Sequence, residues 1–130
     1  LNPITARITM GPVATFVPQR SGLMFPGADP AVVRQAVTTY LDTPIEWGMH
    51  LARGADQHAR VSLSTITVPT SFIAGKHDML ASARDMKTAA QRIPHAEYVE
   101  LVGSHFIQME RPDEVHRHLL EFLGRIGEVR

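Results

Sequence analysis

Apolar residues in the second half of the chain form short continuous runs and helical stripes in turn. The segment ITVPTSFIAG (66–75) is a short apolar run that ends at a glycine, which is typical of a buried parallel strand, and AEYVELVG (96–103) has the same character. SARDMKTAAQRI (82–93) and PDEVHRHLLEFLGRI (112–126) place their apolar side chains on one helical face. The pattern therefore predicts strand, helix, strand, helix, which is the βαβα order of a parallel sheet with right-handed crossovers.

The first half of the chain carries helix signals without clear strand signals. A proline directly after Asp29 predicts a capped helix start there. Thr43 and Glu46 form a capping-box pattern that predicts a second start, and Gly54 is the expected stop of that helix. Residues 1–29 contain Gly and Pro among scattered apolar residues, which favours a loop-rich connection. Two short helices with almost no linker predict a helical hairpin laid over another layer.

Composition and charge exclude several classes of function. The chain has 130 residues, of which 44% are hydrophobic, enough for one ordinary domain with a core. Its 13 basic and 13 acidic residues balance, so no basic field indicates a nucleic-acid or membrane partner. The absence of cysteine removes disulfides, thiolate nucleophiles and cysteine metal sites, and it favours a cytoplasmic location. The apolar runs are too short and too broken to span a bilayer.

Two ionisable residues come just after the two predicted strands. Asp78 lies three residues beyond Gly75, and His105 lies two residues beyond Gly103. Functional groups collect at the carboxyl ends of parallel strands, so neighbouring strands would bring both side chains to one edge of the sheet. A carboxylate that accepts a hydrogen bond from one imidazole nitrogen selects the tautomer and leaves the other nitrogen free as a base. Singly, such an Asp is usually a turn residue and such a His is usually structural; the joint placement favours function.

The segments ITVPTSFIAGKHDML and VELVGSHFIQMERPDEVHRHLLEFL resemble the C-terminal third of the α/β-hydrolase fold superfamily. In that family a strand with a Gly-x-x-Asp end carries the triad acid, and the next strand leads to a small-residue–His–Phe turn that carries the triad base. A Glu-x-Pro-Glu/Asp segment then opens the last helix. The resemblance implies that Asp78 is the triad acid and His105 the triad base, in the family's Ser…Asp…His order. It covers about residues 64–124, and residues 29–60 resemble more loosely the family's helical cap.

The fold class that the resemblance implies is α/β, as the C-terminal portion of an α/β-hydrolase. We expect residues 1–65 to form a loop-rich segment and helical cap or lid, and residues 66–130 to form the C-terminal part of the core, a βαβα parallel-sheet unit. The nucleophile-bearing N-terminal half is expected to be absent. The chain begins with Leu1 rather than Met, so we expect either that something upstream was removed or that this is a piece of a longer chain.

The chain contains no Gly-x-Ser-x-Gly motif, which carries the family's nucleophile. Ser104 borders His105, but neighbouring side chains on a turn usually diverge, so a small residue that lets the turn close is the better interpretation. Asp29 and Asp42 are the aspartate alternatives for a dehalogenase-like nucleophile, although the pattern favours caps or turns for both. We therefore expect acid and base without nucleophile or oxyanion hole.

The resemblance implies hydrolysis of a small ester, lactone or related carbonyl compound by a nucleophile–His–Asp triad. Because only acid and base are present, we expect the chain alone to be inactive. Trp47 and Met49 on the cap and Phe106 beside the histidine are candidate substrate-binding residues, although plain packing explains the cap pair at least as well. The expected partners are a small-molecule substrate and either the missing N-terminal half or a second copy in a homo-oligomer.

Neither a cofactor nor a metal is implied. His116 and His118 are two apart on a predicted helix and so lie on different sides of it, which does not suit a metal pair. Two alternatives of other classes stay open. One is a non-catalytic α/β-hydrolase-like fragment or partner-binding module. The other is a metal-dependent hydrolase using the seven histidines, which would be stabilised against heat by metal.

Overall fold

The computed structural model describes residues 24–59 and 61–128, so the loop-rich prediction for the first 23 residues lies outside the described part. Two consecutive helices come first, and a small parallel sheet with its helices follows. The second of these helices has no buried residue, so the predicted hairpin laid over another layer does not form within the described residues. The elements are helices α1 (Pro30–Asp42) and α2 (Ile45–Gln57), a 3₁₀ turn (Leu63–Thr65), strand β1 (Ser71–Gly75), helix α3 (Ala83–Ala90), strand β2 (Glu97–Leu101), and helices α4 (Ile107–Glu110) and α5 (Pro112–Glu128). The predicted α/β class is confirmed.

The sheet is a parallel pair in which β1 and β2 are direct neighbours. Ser71 stands opposite Glu97 and Gly75 opposite Leu101, and α3 is the crossover that packs against both strands. Each strand has five residues and is shorter than the sequence pattern predicted. The chain turns at His95, where φ is 63°, and β2 begins only after this turn. The ladder of β1 with β2 therefore starts at Ser71 and Glu97, and the residues before Ser71 are not part of it.

Side-chain caps explain where two of the helices begin. The Asp29 carboxylate accepts a hydrogen bond from the Ala31 N–H at 2.7 Å, with proline in the first turn, as predicted. The Ser82 hydroxyl accepts from the Asp85 N–H at 3.1 Å at the start of α3. Both caps satisfy backbone donors that the first helical turn leaves without an intrahelical partner.

The predicted boundaries of α2 are wrong at both ends. Pro44 occupies the N-cap position, where no side chain makes a capping hydrogen bond, so the Thr43–Glu46 capping box does not form. The Thr43 hydroxyl instead donates to a carbonyl of the last turn of α1. The helix also continues through Gly54 to Gln57, because a single glycine lowers helix stability by about 1 kcal/mol without ending a helix.

A small hydrophobic cluster joins the segment before α1 to the region that follows β2. Met24, Ala28 and Val33 are buried, and the side chains that pack against them are Val37, Phe106 and Met109. Other apolar side chains remain exposed. On α1 and α2 these include Val32, Tyr40, Ile45, Trp47, Met49 and Leu51, and on α5 they are Leu119, Leu120 and Leu123. Leu119 and Leu123 belong to the predicted apolar stripe of α5, so that stripe is only partly covered.

Among the described helices, none combines the length and the apolar character that crossing a membrane requires.

Candidate active site

Backbone hydrogen bonds continue the pairing of β1 and β2 beyond the ends of both strands. The Lys76 N–H donates to the Leu101 carbonyl at 2.8 Å, and the His77 N–H donates to the Gly103 carbonyl at 2.9 Å. The turn that leaves β1 is therefore laid directly along the chain that leaves β2. This arrangement brings the residue after His77 to the turn that contains His105.

Two glycines allow these turns to approach each other. A Cβ on Gly75 would lie 2.8 Å from the Ser104 carbonyl carbon and 2.9 Å from the Gly103 carbonyl oxygen, and closer still to the Ser104 oxygen. A Cβ on Gly103 would lie 2.7 Å from a carboxylate oxygen of Glu110. Since the obstacles at Gly75 are backbone atoms, no side chain can rotate away to make room.

The carboxylate of Asp78, just beyond the end of β1, is almost inaccessible to solvent. Its side chain is 5% exposed, and its Oδ1 accepts hydrogen bonds from the Leu80 and Ala81 N–H groups, both at 2.8 Å. Its Oδ2 lies 2.9 Å from Nδ1 of His105. Burial alone raises the pKa of the Asp78 carboxyl, but the hydrogen bonds from Ala81, His105 and Leu80 outweigh burial, so this pKa lies below its ordinary value of 3.8.

His105 meets this carboxylate with one ring nitrogen and leaves the other open. An ionised carboxylate only accepts hydrogen bonds, so Nδ1 carries the proton in this contact and Nε2 holds the lone pair. The side chain of His105 is 41% exposed, and among the described residues Nε2 has no hydrogen-bond partner. An imidazole in this tautomer can take a proton at Nε2, and the adjacent negative charge stabilises the imidazolium that forms.

The buried carboxylate of Glu110 accepts hydrogen bonds from the turn that contains His105. Glu110 accepts from the Ser104 N–H at 2.7 Å through Oε2, while its Oε1 accepts from the Ser104 hydroxyl and from the Phe25 N–H, the latter at 2.7 Å. In the sequence, Glu110 stands out only as part of a Glu-x-Pro segment. Its burial and its partner 85 residues away could not be obtained from local patterns. The Ser104 hydroxyl is engaged by Glu110, away from the ring of His105.

The three candidate substrate-binding residues lie in two different places. Phe106 is half-buried, and its ring meets the His105 ring edge-to-face with centroids 5.5 Å apart. Trp47 and Met49 are each 66% exposed on α2. Met49 lines an apolar concavity of about 360 Å³ between α1 and α2. Within the described residues, the hydrogen bonds and ring contacts of the His105–Asp78 pair include Phe106 and do not reach α2.

The two aspartates weighed as nucleophiles are placed at the ends of α1. Asp29 caps the start of that helix, and Asp42 is its last residue and is exposed. No group of three metal-ligating side chains occurs within residues 24–59 and 61–128.

Comparison with known proteins finds hydrolases. No family model matches the chain. Epoxide hydrolase A of Mycobacterium tuberculosis (strain ATCC 25618 / H37Rv) is 36% identical over 81 residues, which are 61% of this chain and 25% of that protein. The solved enol-lactonase from Burkholderia xenovorans LB400 superposes with a TM-score of 0.73 at 26% identity, over 92% of this chain and 47% of that chain. Est816, described as an N-acyl homoserine lactone degrading enzyme, superposes with a TM-score of 0.57 at 24% identity, over 86% and 51%.

The chain thus spans about a quarter of that curated relative and about half the length of the two solved structures. The superposition extends to the helices α1 and α2 as well as the β1–α3–β2 unit, since 92% of the chain is included. The predicted superfamily and the predicted portion of its fold are confirmed. The chain belongs to the α/β-hydrolase fold superfamily, and its fold is that of the C-terminal portion of such an enzyme.

Proposed function

We propose that this chain supplies the acid and the base of a hydrolase triad, with His105 as the base and Asp78 as the residue that orients it. The observation that carries the proposal is the 2.9 Å contact between His105 Nδ1 and a buried Asp78 carboxylate, with Nε2 left open. The pair lies beyond the carboxyl ends of neighbouring parallel strands, where open α/β sheets hold their functional groups.

In the proposed reaction, His105 acts twice. Nε2 first takes the proton of a nucleophilic hydroxyl as that hydroxyl attacks the substrate carbonyl, and it returns the proton to the leaving alcohol. The same nitrogen then takes a proton from water, which attacks the acyl-enzyme, and returns it to the nucleophile. Asp78 stays ionised throughout and stabilises the imidazolium in both halves of the cycle, as its lowered pKa allows. A lactone would open to a hydroxy acid, because its leaving alcohol remains part of the product.

Small lactones or esters are the proposed substrates. The two solved structures of similar fold are an enol-lactonase and an enzyme that degrades N-acyl homoserine lactones. Phe106 meets the His105 ring edge-to-face and supplies an apolar surface beside that ring. The apolar concavity beside Met49 is a second surface that an acyl group could contact, at the junction of the helices α1 and α2 that we propose as the cap.

An epoxide is the second candidate substrate, because the curated relative at 36% identity is an epoxide hydrolase. The histidine step that uses water is the same whether the covalent intermediate is an acyl-enzyme or an alkyl-enzyme. The proposed His105–Asp78 pair therefore serves either reaction, and the nucleophile decides between them.

The proposed partner is the N-terminal half of an α/β-hydrolase, supplied by another chain or by the same one. Among the described residues β1 pairs only with β2, so one edge of β1 is open to a further strand. Helix α5 is linked to β2 by the ion pair between Arg125 and Glu97, and its Leu119 and Leu123 are exposed. The exposed Leu119 and Leu123 of α5 would then cover strands that the partner contributes.

The test is complementation with a known half. The chain is co-expressed with the nucleophile-bearing N-terminal part of the Burkholderia xenovorans enol-lactonase and is assayed on a lactone, on p-nitrophenyl acetate and on an epoxide. We expect the 130-residue chain to be inactive alone and the assembly to hydrolyse the lactone or the ester. Activity of the isolated monomer on p-nitrophenyl acetate would contradict the proposal, and so would a complemented activity that persists in His105→Ala.

A further inference from the structure

Glu110 is a buried charged residue to which the proposed chemistry assigns no part. It is 7% exposed, and all three of its hydrogen-bond partners are donors. Two of these donors are backbone N–H groups, from Ser104 and Phe25, which have no capacity to accept. The carboxylate accepts from these two N–H groups through separate oxygens, which a carboxamide, with its single oxygen, cannot do in the same geometry.

The hydrogen bonds around Glu110 involve the residues directly before and after His105. Ser104, which precedes His105, is bound to Glu110 through both its N–H and its hydroxyl. Phe106, which follows His105, donates its N–H to the Ser104 hydroxyl oxygen at 3.2 Å. The residues on both sides of the histidine are thus tied to one carboxylate. Asp78 holds the ring of His105, and Glu110 holds the backbone from which that ring projects.

The same carboxylate ties the turn to a distant part of the chain. The Phe25 N–H belongs to the segment that contains the buried Met24 and Ala28 and leads into α1. That segment packs on Phe106 and Met109, next to the histidine turn. The ring of Phe25 also lies 5.5 Å from that of His77, the neighbour of Asp78. Displacement of this segment would therefore disturb the surroundings of both His105 and Asp78.

We propose that Glu110 is a positioning residue for His105: it fixes the backbone of the histidine turn and couples the turn to the segment that leads into α1. The inference rests on the proposed role of His105 as the base. It concerns geometry that exists in this chain without nucleophile or substrate, so it can be tested whether or not the chain takes part in hydrolysis.

The experiment compares Glu110→Gln with wild type by NMR on the 15N-labelled 130-residue chain. Glutamine keeps the size of the side chain but has one acceptor oxygen and one NH₂ group, so in the same geometry one of the two backbone N–H groups faces the NH₂. We expect the amide proton that loses its acceptor, that of Ser104 or of Phe25, to exchange with solvent about tenfold faster or more, the factor that corresponds to losing one hydrogen bond to a charged group. Glu114→Gln, on the exposed surface of α5 beside Arg111, is the matched control and should change neither rate by more than about twofold.

The tautomer of His105 distinguishes positioning from simple structural support. Ring 15N shifts are recorded over a series of pH values, and the tautomers are compared on the plateau at high pH. We expect the wild-type ring to be held as the Nδ1–H tautomer and the Glu110→Gln ring to populate both tautomers, in samples whose β1 and β2 amide shifts show that the sheet is intact. A variant ring that stays wholly in the Nδ1–H form would overturn the proposal, even if the amides exchange faster.

Ser104→Ala provides a second test if Glu110→Gln does not fold. It removes the hydroxyl that links Glu110 to the Phe106 N–H but keeps the Ser104 N–H bond to Glu110. We expect a smaller shift of His105 toward mixed tautomers. Unchanged His105 and Phe106 signals in Ser104→Ala would overturn the proposal as well. None of these readouts depends on turnover, so a failure of the proposed hydrolase activity is recorded separately.

Discussion

Asp78 can orient His105 only as an acceptor. In Asp78→Asn the amide keeps one oxygen, which the Leu80 and Ala81 N–H groups already occupy, and turns an NH₂ toward Nδ1 of His105. The ring must then accept at Nδ1 and carry its proton on Nε2, the nitrogen that should take the proton of the nucleophile. We predict that Asp78→Asn lowers kcat of the complemented assembly by about 10³- to 10⁴-fold. Asp85→Asn, an exposed change in α3, is the control and should retain wild-type kcat.

The lowered pKa of Asp78 also makes a prediction about stability in acid. The folded state holds a proton on Asp78 less tightly than the unfolded state does, so the unfolded state binds more protons at pH values between 3.8 and the lowered pKa. The contribution of ionised Asp78 to the free energy of unfolding is complete above pH 3.8 and is lost as the pH falls through the folded-state pKa. We expect the free energy of unfolding, measured with urea at a series of pH values, to fall more steeply in this acid range for wild type than for Asp78→Asn. Parallel curves for the two proteins would contradict this.

Site residues whose position follows from the adjacent strands can be predicted from the sequence, whereas residues placed by contacts with distant parts of the chain cannot. Asp78 and His105 could be paired because each follows a recognisable strand, and parallel neighbours end at one edge. Glu110 could not be singled out, because its partners include a backbone group 85 residues away in a segment with no regular pattern. A buried acceptor of several backbone donors has no sequence signature of its own.

The paired turns after β1 and β2 are the element that creates the site, and Gly75 is where they are closest. Any Cβ there would meet the Ser104 and Gly103 carbonyl groups, which are backbone and cannot rotate away. We predict that Gly75→Ala lowers the free energy of unfolding by about 2–3 kcal/mol, a typical penalty for overpacking. Gly124→Ala is the matched control, because its Cβ meets nothing within 4 Å on a helix, and it should stabilise the chain by about 0.5–1 kcal/mol. Equal effects of the two substitutions, measured by urea unfolding, would refute this account of the turns.

Element types were predicted better than element limits. The βαβα order and the cap at Asp29 follow from periodicity and local capping chemistry, which are encoded within a few residues. The strands are shorter than their apolar runs because a strand extends only as far as its neighbour does. The four-residue helix α4 carries too few residues for any periodicity to be detected, although it contains Glu110. The N-cap of α2 is Pro44, whereas the sequence pattern predicted Thr43 at that position.

Apolar side chains that the described part of the molecule leaves exposed include several on α1 and α2 and three leucines on α5. If α5 covers strands that a partner contributes, then charging its exposed leucines should weaken assembly. We predict that the double substitution Leu119→Lys with Leu123→Lys reduces co-purification with the enol-lactonase N-terminal part by about tenfold or more, since each buried leucine contributes about 2 kcal/mol. Arg117→Lys, which keeps the charge of an exposed residue on the same helix, should co-purify as wild type does. Undiminished co-purification of the double variant would place the partner elsewhere.

The most direct measurement of the central claim is kcat for lactone hydrolysis by the complemented assembly with His105→Ala, compared with His77→Ala and wild type. His77 is an exposed histidine beside Asp78, so the comparison separates the proposed base from a neighbouring imidazole. The account predicts a loss of about 10³- to 10⁴-fold for His105→Ala and a change of less than about threefold for His77→Ala. Equal kcat values for His105→Ala and wild type would contradict it.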